Sequence, residues 1–425
     1  MDRRAFVRLV GGGVVVAAAA PLAGCSSAIP PEAVAAWAGP GDEPDLRRWI
    51  VAHAILAPHS HNLQSWLVDL RTPDEIVLRC DRGRLLPVTD PFSRQILMSQ
   101  GTFLELLDLA ARERGQRAEI TLFPAGEFGP ERPDERPVAR IVLRPDASVA
   151  RDPLFGQILK RRTNREAYEA RLPEATAIAA VLQATAGPPF RAGVTRGDAA
   201  ELAAHRAIAA EAWRLELTTP RTLMESYHYL RIGPREIATH RDGISLNSPM
   251  VRFADAVGLF DRTQVPAPGD ANVRRQIEDF QGKLAATPAF YWLVSEGNGR
   301  VAQVQAGRAY ARAQLAATAQ GLSMQPLSQA LQEYPEQAGP YARVHALLQA
   351  PAFWWCAAGI AVTAVLNVTV SFWLAFKVAL RSRGVRVRDR SRIGRALRRR
   401  LRRRPLSFLW PPRDLPGAAA DGGAR

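Results

Sequence analysis

The 425-residue chain predicts an α+β fold with an antiparallel or mixed sheet, on three observations. Between Leu46 and Pro145 helical stretches and short strands run in the order helix, hairpin, helix, strand, strand, an order that regular βαβ winding does not give. From Phe155 onward a second set of Ala-rich helical stretches follows. The apolar fraction of 47% is ordinary for a packed core at this length.

The first 25 residues read as an export signal. Arg3 and Arg4 precede Phe6, a Gly/Ala/Val core and Leu22-Ala23-Gly24-Cys25; small residues dominate, which favours a cleavable signal over a structural helix. The Arg-Arg-x-Phe pattern resembles a twin-arginine signal, and Leu-Ala-Gly-Cys resembles a bacterial lipobox with Cys25 as the acylated residue. Residues 26–45, rich in Pro, Gly and Ala, read as a tether. Of the other cysteines, Cys356 lies in an apolar run and Cys80 stands alone, so neither a disulfide framework nor a cysteine metal site is available.

Leu46, Ile50, Val51, Ala54 and Ile55 recur with helical spacing until Pro58. WLVDLRTPDEIVLRCD then reads as a hairpin around Thr72-Pro73-Asp74. Gln95 to Arg114 is an amphipathic helix, and AEITLFP and VARIVLRP are further strands. A helical block opens near Phe155, and long helices are expected at Asp198 to Leu217 and Val304 to Gln320, the last ending at Gly321 in a C-cap position. The two blocks, each pairing arginines with an Ala-rich helix, suggest two related halves within residues 46–350.

Ala352 to Phe376 runs 25 residues without a formal charge, long enough to cross a bilayer; a fully buried core helix is the alternative. A transmembrane helix over 351–380 is expected, followed by a basic tail over 381–425. Arg381 to Arg413 holds fourteen arginines against one aspartate, a local +13 within a total of +15. The basicity therefore belongs to the tail, which the positive-inside rule keeps cytoplasmic while the body lies in the cell envelope. Aromatic interleaving is nearly absent there, so no nucleic-acid partner is expected.

Two polar clusters carry chemistry. Ser60, Asn62 and Gln64 lie in APHSHNLQSW, and Arg161, Thr163 and Arg165 in RRTNR. Neutral amides and a hydroxyl suit the edge of a flat heterocycle, and arginines with threonine suit a phosphate. Each has a plainer reading: satisfied turn groups for the first, a solvated helix start for the second. His59 and His61 suggest a metal only if a third ligand joins them, and none has suitable spacing.

APHSHNLQSW resembles the A-P-S-x-x-N-x-Q-P-W signature of the nitroreductase superfamily of FMN flavoproteins, and RRTNREAY resembles its arginine-rich motif. Together with DRGRLLPVTDPFSRQ, HRDGISL and QAGRAYARAQLAATAQGLSMQPLSQALQE, the chain resembles the Acg-like branch, in which two half-folds in one chain mimic a homodimer. The resemblance implies an FMN-dependent oxidoreductase that reduces a nitro, quinone or similar acceptor, drawing on NAD(P)H or a membrane electron donor, and working as a pseudo-dimeric monomer. It implies Arg161, Thr163 and Arg165 at the FMN phosphate, Ser60, Asn62 and Gln64 along the ring, and backbone contacts from the Gly321 to Ser323 turn. It names no catalytic side chain. The alternatives are a flavin-sequestering protein without turnover and a membrane-protein fusion with a recombinase-like C-terminus. The chain departs from the pattern at His59, where serine is favoured, and at Ser65, where proline would fix φ. The last 75 or so residues resemble the end of a bacterial membrane family named for site-specific recombinases, a genuine fusion or a chimaera.

Overall fold

The computed structural model describes residues 28–350 apart from 188 and 198. The expected signal with Cys25, the expected span over 351–380 and the basic tail lie outside the described residues. Among the described residues no helix is long and apolar enough to cross a membrane.

The chain is α+β. A helical turn α1 (Pro31–Val34) leads to α2 (Leu46–Ala54), β1 (Trp66–Asp69), β2 (Glu75–Cys80), α3 (Arg94–Glu113), β3 (Gln116–Leu122) and β4 (Ala139–Pro145). The four strands form an antiparallel sheet in the order β1-β2-β4-β3, with Trp66 opposite Cys80 and Ile120 opposite Ile141. Period-2 alternation puts Ile76, Leu78 and Cys80 of β2 inward, where they join Ile50, Phe103, Leu107 and Ile141 in one core. Asp45 starts α2 by accepting the Arg47 N–H at 2.9 Å, an N-cap that satisfies an otherwise orphaned donor.

The second part holds α4 (Ala175–Gln183), β5 (Phe190–Arg196), α5 (Ala199–Thr218), α6 (Pro220–His228), β6 (Leu230–Ile232), α7 (Gly233–Thr239), β7 (Ile244–Leu246), α8 (Pro249–Ala256), α9 (Ala271–Ala286), β8 (Ala289–Ser295), α10 (Arg300–Ala319) and α11 (Ala338–Leu347). β5 and β8 pair antiparallel, and β6 and β7 parallel.

Two expectations are corrected. The helical block expected from Phe155 is only a 3₁₀ turn, Pro153–Gln157, and regular helix waits until Ala175. Thr163 instead bridges Met324, Asn164 Oδ1 accepts the Glu166 N–H at 3.1 Å in an Asx turn, and Pro173 biases its neighbour away from helix. Within the stretch read as a tether, α1 and a 3₁₀ turn over Ala35–Ala38 pack against the body.

α3 and α10, each 20 residues long, cross at the centre. A side chain at Gly101 would overlap the Val304 carbonyl, and one at Gly307 the Met98 carbonyl, so each helix gives a glycine to the other's backbone. Close approach then buries the polar face of α3, which periodicity alone would place in solvent. Arg308 Nε meets Glu105 Oε2 at 2.7 Å, Arg312 Nη1 meets Glu105 Oε1 at 2.9 Å, and Arg312 Nη2 reaches Asp152 at 2.9 Å.

Candidate functional site

The loop after α2 is held in an unusual backbone. His61, Asn62 and Gln64 all have positive φ, at 50°, 53° and 52°, a left-handed region that non-glycine residues occupy rarely, Asn and His more readily than others. The two departures from the family signature fasten this loop together. His59 Nε2 lies 2.7 Å from Ser65 Oγ and accepts the Ser65 N–H at 3.2 Å, while His59 Nδ1 lies 2.8 Å from the Ser60 carbonyl. That set requires a neutral ring with its proton on Nδ1, and burial pushes the His59 pKa down to about 4. A proline at 65 would have no N–H to give, so histidine and serine together replace its fixed φ with a side-chain staple.

The amides of this loop are already engaged. Asn62 Nδ2 donates to the Gly243 carbonyl at 3.2 Å, Gln64 Nε2 donates to the Arg241 carbonyl at 2.8 Å, and Gly243 N–H returns a bond to the Asn62 carbonyl at 3.0 Å. The HRDGISL segment is thereby laid against the loop. Ser60 Oγ lies 3.4 Å from Gln95 Oε1.

The arginine loop is built differently. Arg161 is 4% exposed. Its Nη2 donates to the Leu56 carbonyl at 2.9 Å and its Nη1 to Gln314 Oε1 at 3.1 Å, yet its Nε has no partner. Beside it Gln314 Nε2 and the Tyr310 hydroxyl are also buried without partners. Among the described residues no carboxylate is near enough to influence Arg161 or Arg165, and burial pushes the Arg161 pKa down to about 10. Trp37 from the N-terminal segment lies under the Arg162 guanidinium at 3.7 Å and 5.3 Å from that of Arg161, a cation–π contact that supplies no charge balance.

Gly321 sits where the sequence places it. With φ of 70° it closes α10 as a Schellman motif, Leu322 N–H to the Ala317 carbonyl at 2.8 Å and Gly321 N–H to the Thr318 carbonyl at 3.1 Å. The chain then runs beside the arginine loop, Thr163 bridging Met324 and Asn164 N–H reaching the Met324 carbonyl at 3.3 Å.

All eight residues expected at a ligand, Ser60, Asn62, Gln64, Arg161, Thr163, Arg165, Gly321 and Ser323, line one cavity of 2110 Å³. That is about twice the upper end of the range usual for a single small-molecule pocket, ~1,000 Å³. Sequence reasoning missed an acid in the same cavity. Glu216 is 3% exposed, accepts Gln332 Nε2 at 2.9 Å and lies 3.3 Å from Ser226 Oγ, which in turn lies 3.2 Å from His61 Nε2. Burial, with Glu225 nearby, pushes the Glu216 pKa up to about 7, and burial with Arg165 nearby pushes His61 down to about 4. A lone glutamate in RLELTT was the available signal; Tyr310 and Gln314 were polar interruptions on an Ala-rich helix. Among the described residues no group of three or more His, Cys, Asp or Glu is placed to hold a metal.

With this geometry in view, comparison with known proteins bears on both parts of the chain. Two Mycobacterium tuberculosis proteins, from strains CDC 1551 / Oshkosh and H37Rv and each named "Putative NAD(P)H nitroreductase", are 26% identical over 299 residues, covering 67% of this chain and 76% of theirs. Residues 338–411 match the family model described as site-specific recombinase. That match begins at the first residue of α11, which packs on α5 through an Arg343–Glu211 ion pair. The chain resembles nitroreductases over most of its length and a recombinase-named family at its C-terminal end.

Proposed function

We propose that the body is an FMN-dependent oxidoreductase of nitroreductase type, passing two electrons to a nitro, quinone or similar conjugated acceptor, with NAD(P)H or a membrane partner as donor. The observation that carries this reading is Arg161: a buried guanidinium with no carboxylate, beside two further orphaned polar groups, on the wall of a cavity large enough for a flavin and a second molecule. An uncompensated buried charge is costly, on the order of several kcal/mol, and a phosphate would balance it. The chemistry at that wall therefore fits the anionic end of FMN.

When bound, the flavin supplies hydride transfer. The protein's part is binding, orientation and proton supply. Arg161, Thr163 and Arg165 hold the phosphate, with backbone from Gly321 to Ser323 beside them. Ser60, Asn62 and Gln64 take the ring edge, which requires Asn62 Nδ2 and Gln64 Nε2 to exchange the Gly243 and Arg241 carbonyls for ligand. Glu216, itself on the cavity wall, holds a proton near neutral pH, and Ser226 Oγ and His61 Nε2 continue from it along that wall. The reciprocal glycine crossing of α3 and α10 supports reading the body as two half-folds of a pseudo-dimer.

Engagement of Asn62 and Gln64 by the 241–243 backbone also favours a second reading, a flavin-sequestering protein in which that segment stays closed. Purified full chain is expected to absorb in the visible as a flavoprotein, or to do so after addition of FMN. Colourless protein that takes up no FMN contradicts both readings. Flavin that dithionite reduces but that no nitro or quinone acceptor reoxidises separates the second from the first.

A further inference from the structure

α8 carries Arg252 and Asp255 but presents apolar side chains both to the cavity and to its outer surface. Val251 and Ala254, with Phe260 just beyond, line the cavity, whereas Met250, Phe253, Val257 and Leu259 are 67%, 60%, 52% and 66% exposed. Among the described residues, seven of the eleven exposed large apolar side chains lie either between 250 and 265 or at Ile29 and Val34. These two stretches are adjacent. Asn247, two residues before α8, donates Nδ2 to the Ala28 carbonyl at 2.6 Å, and α1 packs on α7. Ile29, Val34 and Met250 are exposed and also line the cavity, which puts the apolar face at its rim.

The position of Ala28 selects the occupant. It follows the lipobox cysteine, Cys25, by three residues, a reach of at most roughly 10 Å of extended chain. An acyl group on Cys25 would therefore enter a bilayer within about 10 Å of Ala28, whose carbonyl is held by Asn247 just before α8. From this we infer that α8, the 257–265 segment and residues 29–34 form a bilayer-docking face that seats the rim of the cavity on the lipid surface, so that the acceptor enters from the membrane and is itself lipid-soluble. The docking face rests on the lipoprotein reading of the N-terminus and needs no cofactor, whereas the lipid-soluble acceptor rests also on the oxidoreductase reading.

The test places a bimane probe at Phe253→Cys in full-length chain reconstituted into phosphatidylethanolamine and phosphatidylglycerol vesicles, with Cys356→Ser to leave a single reactive thiol and Glu119→Cys on β3 as the control site. Doxyl-labelled lipid is expected to quench the probe at 253 at least threefold while the control stays unquenched. A probe at 253 that lipid quenches no more than the control overturns the proposal, whether it is open to a water-soluble quencher or shielded by a second copy of the chain. The mass of the N-terminal peptide reports acylation of Cys25 separately, and visible absorbance reports flavin separately, so failure of either reading is distinguishable from failure of the docking face.

Discussion

Arg308 and Arg312 on α10 and Arg161 beside that helix are all drawn into the protein interior, and they are treated in opposite ways. The first two reach Glu105, Asp108 and Asp152 across the helix crossing, with every contact at 3.1 Å or less. Arg161 has only neutral partners and an orphaned Nε. Arg308 and Arg312 bring their countercharge with them, whereas Arg161 lies buried among neutral partners, where a ligand charge would fit. The cavity's other wall differs again: its amides at Asn62 and Gln64 are satisfied by the 241–243 backbone, so that wall is closed by protein rather than left waiting.

The largest effect is expected where the countercharge is removed from the structural arginines. Glu105→Ala removes two charge-assisted bonds, leaving Arg308 with Asp108 and Arg312 with Asp152, and should destabilise the chain by about 3–4 kcal/mol, read by thermal or denaturant unfolding. A loss below about 1 kcal/mol would break the contrast with Arg161.

The next effect is a pH slope. The folded-state pKa of Glu216 is raised to about 7 from 4.5, so stability is fully present below the ordinary value and is lost as pH rises through 7. For this buried group the loss is on the order of 3 kcal/mol. Glu216→Gln should flatten that part of the stability profile. His59 and His61 act in the other direction: their pKa values are lowered to about 4, so their contribution is present above 6.5 and lost as pH falls through 4. An unchanged slope between pH 4.5 and 7 in the Glu216 variant would place the titrating group elsewhere.

The smallest effect sharpens the account of the loop. Ser65→Ala removes the Oγ bond but keeps the backbone N–H bond to His59 and should cost about 1 kcal/mol, His59→Ala removes all three bonds of the ring and should cost about 2 kcal/mol, and the double variant should cost little more than His59→Ala because the Oγ bond is common to both. Additive losses in that double-mutant cycle would mean that the two residues act independently.

Much of this was legible in the sequence. Periodicity placed α2, the β1–β2 hairpin, α3 and α10 within a few residues, and glycine at 321 identified the end of α10 because only a left-handed residue closes that motif cheaply. The RRTNR and APHSHNLQSW motifs identified residues that share one cavity. What stayed hidden depends on tertiary neighbours. Thr163 leaves the helical pattern because Met324, 161 residues away, offers it a bridge. The staple between His59 and Ser65 looked like two weaknesses because each substitution makes sense only with the other present. Glu216 offered only a lone glutamate in RLELTT, since its raised pKa is made by burial and by Glu225 arriving from elsewhere in the chain, against hydrogen bonds from Gln332 and Ser226 that lower it. Trp37 sat in a stretch whose composition reads as a tether, and its packing on Arg161 and Arg162 overrides that composition.

One comparison tests the central claim most directly: FMN titrated into wild-type chain and into Arg161→Ala, with the unfolding midpoint of each cofactor-free protein measured alongside. The account predicts an affinity loss of roughly 100-fold, equivalent to about 3 kcal/mol, with the variant's own stability changed by no more than about 1 kcal/mol because an uncompensated charge is removed together with its hydrogen bonds. Equal affinity in the two proteins, or a variant that loses affinity only because it unfolds, would contradict it.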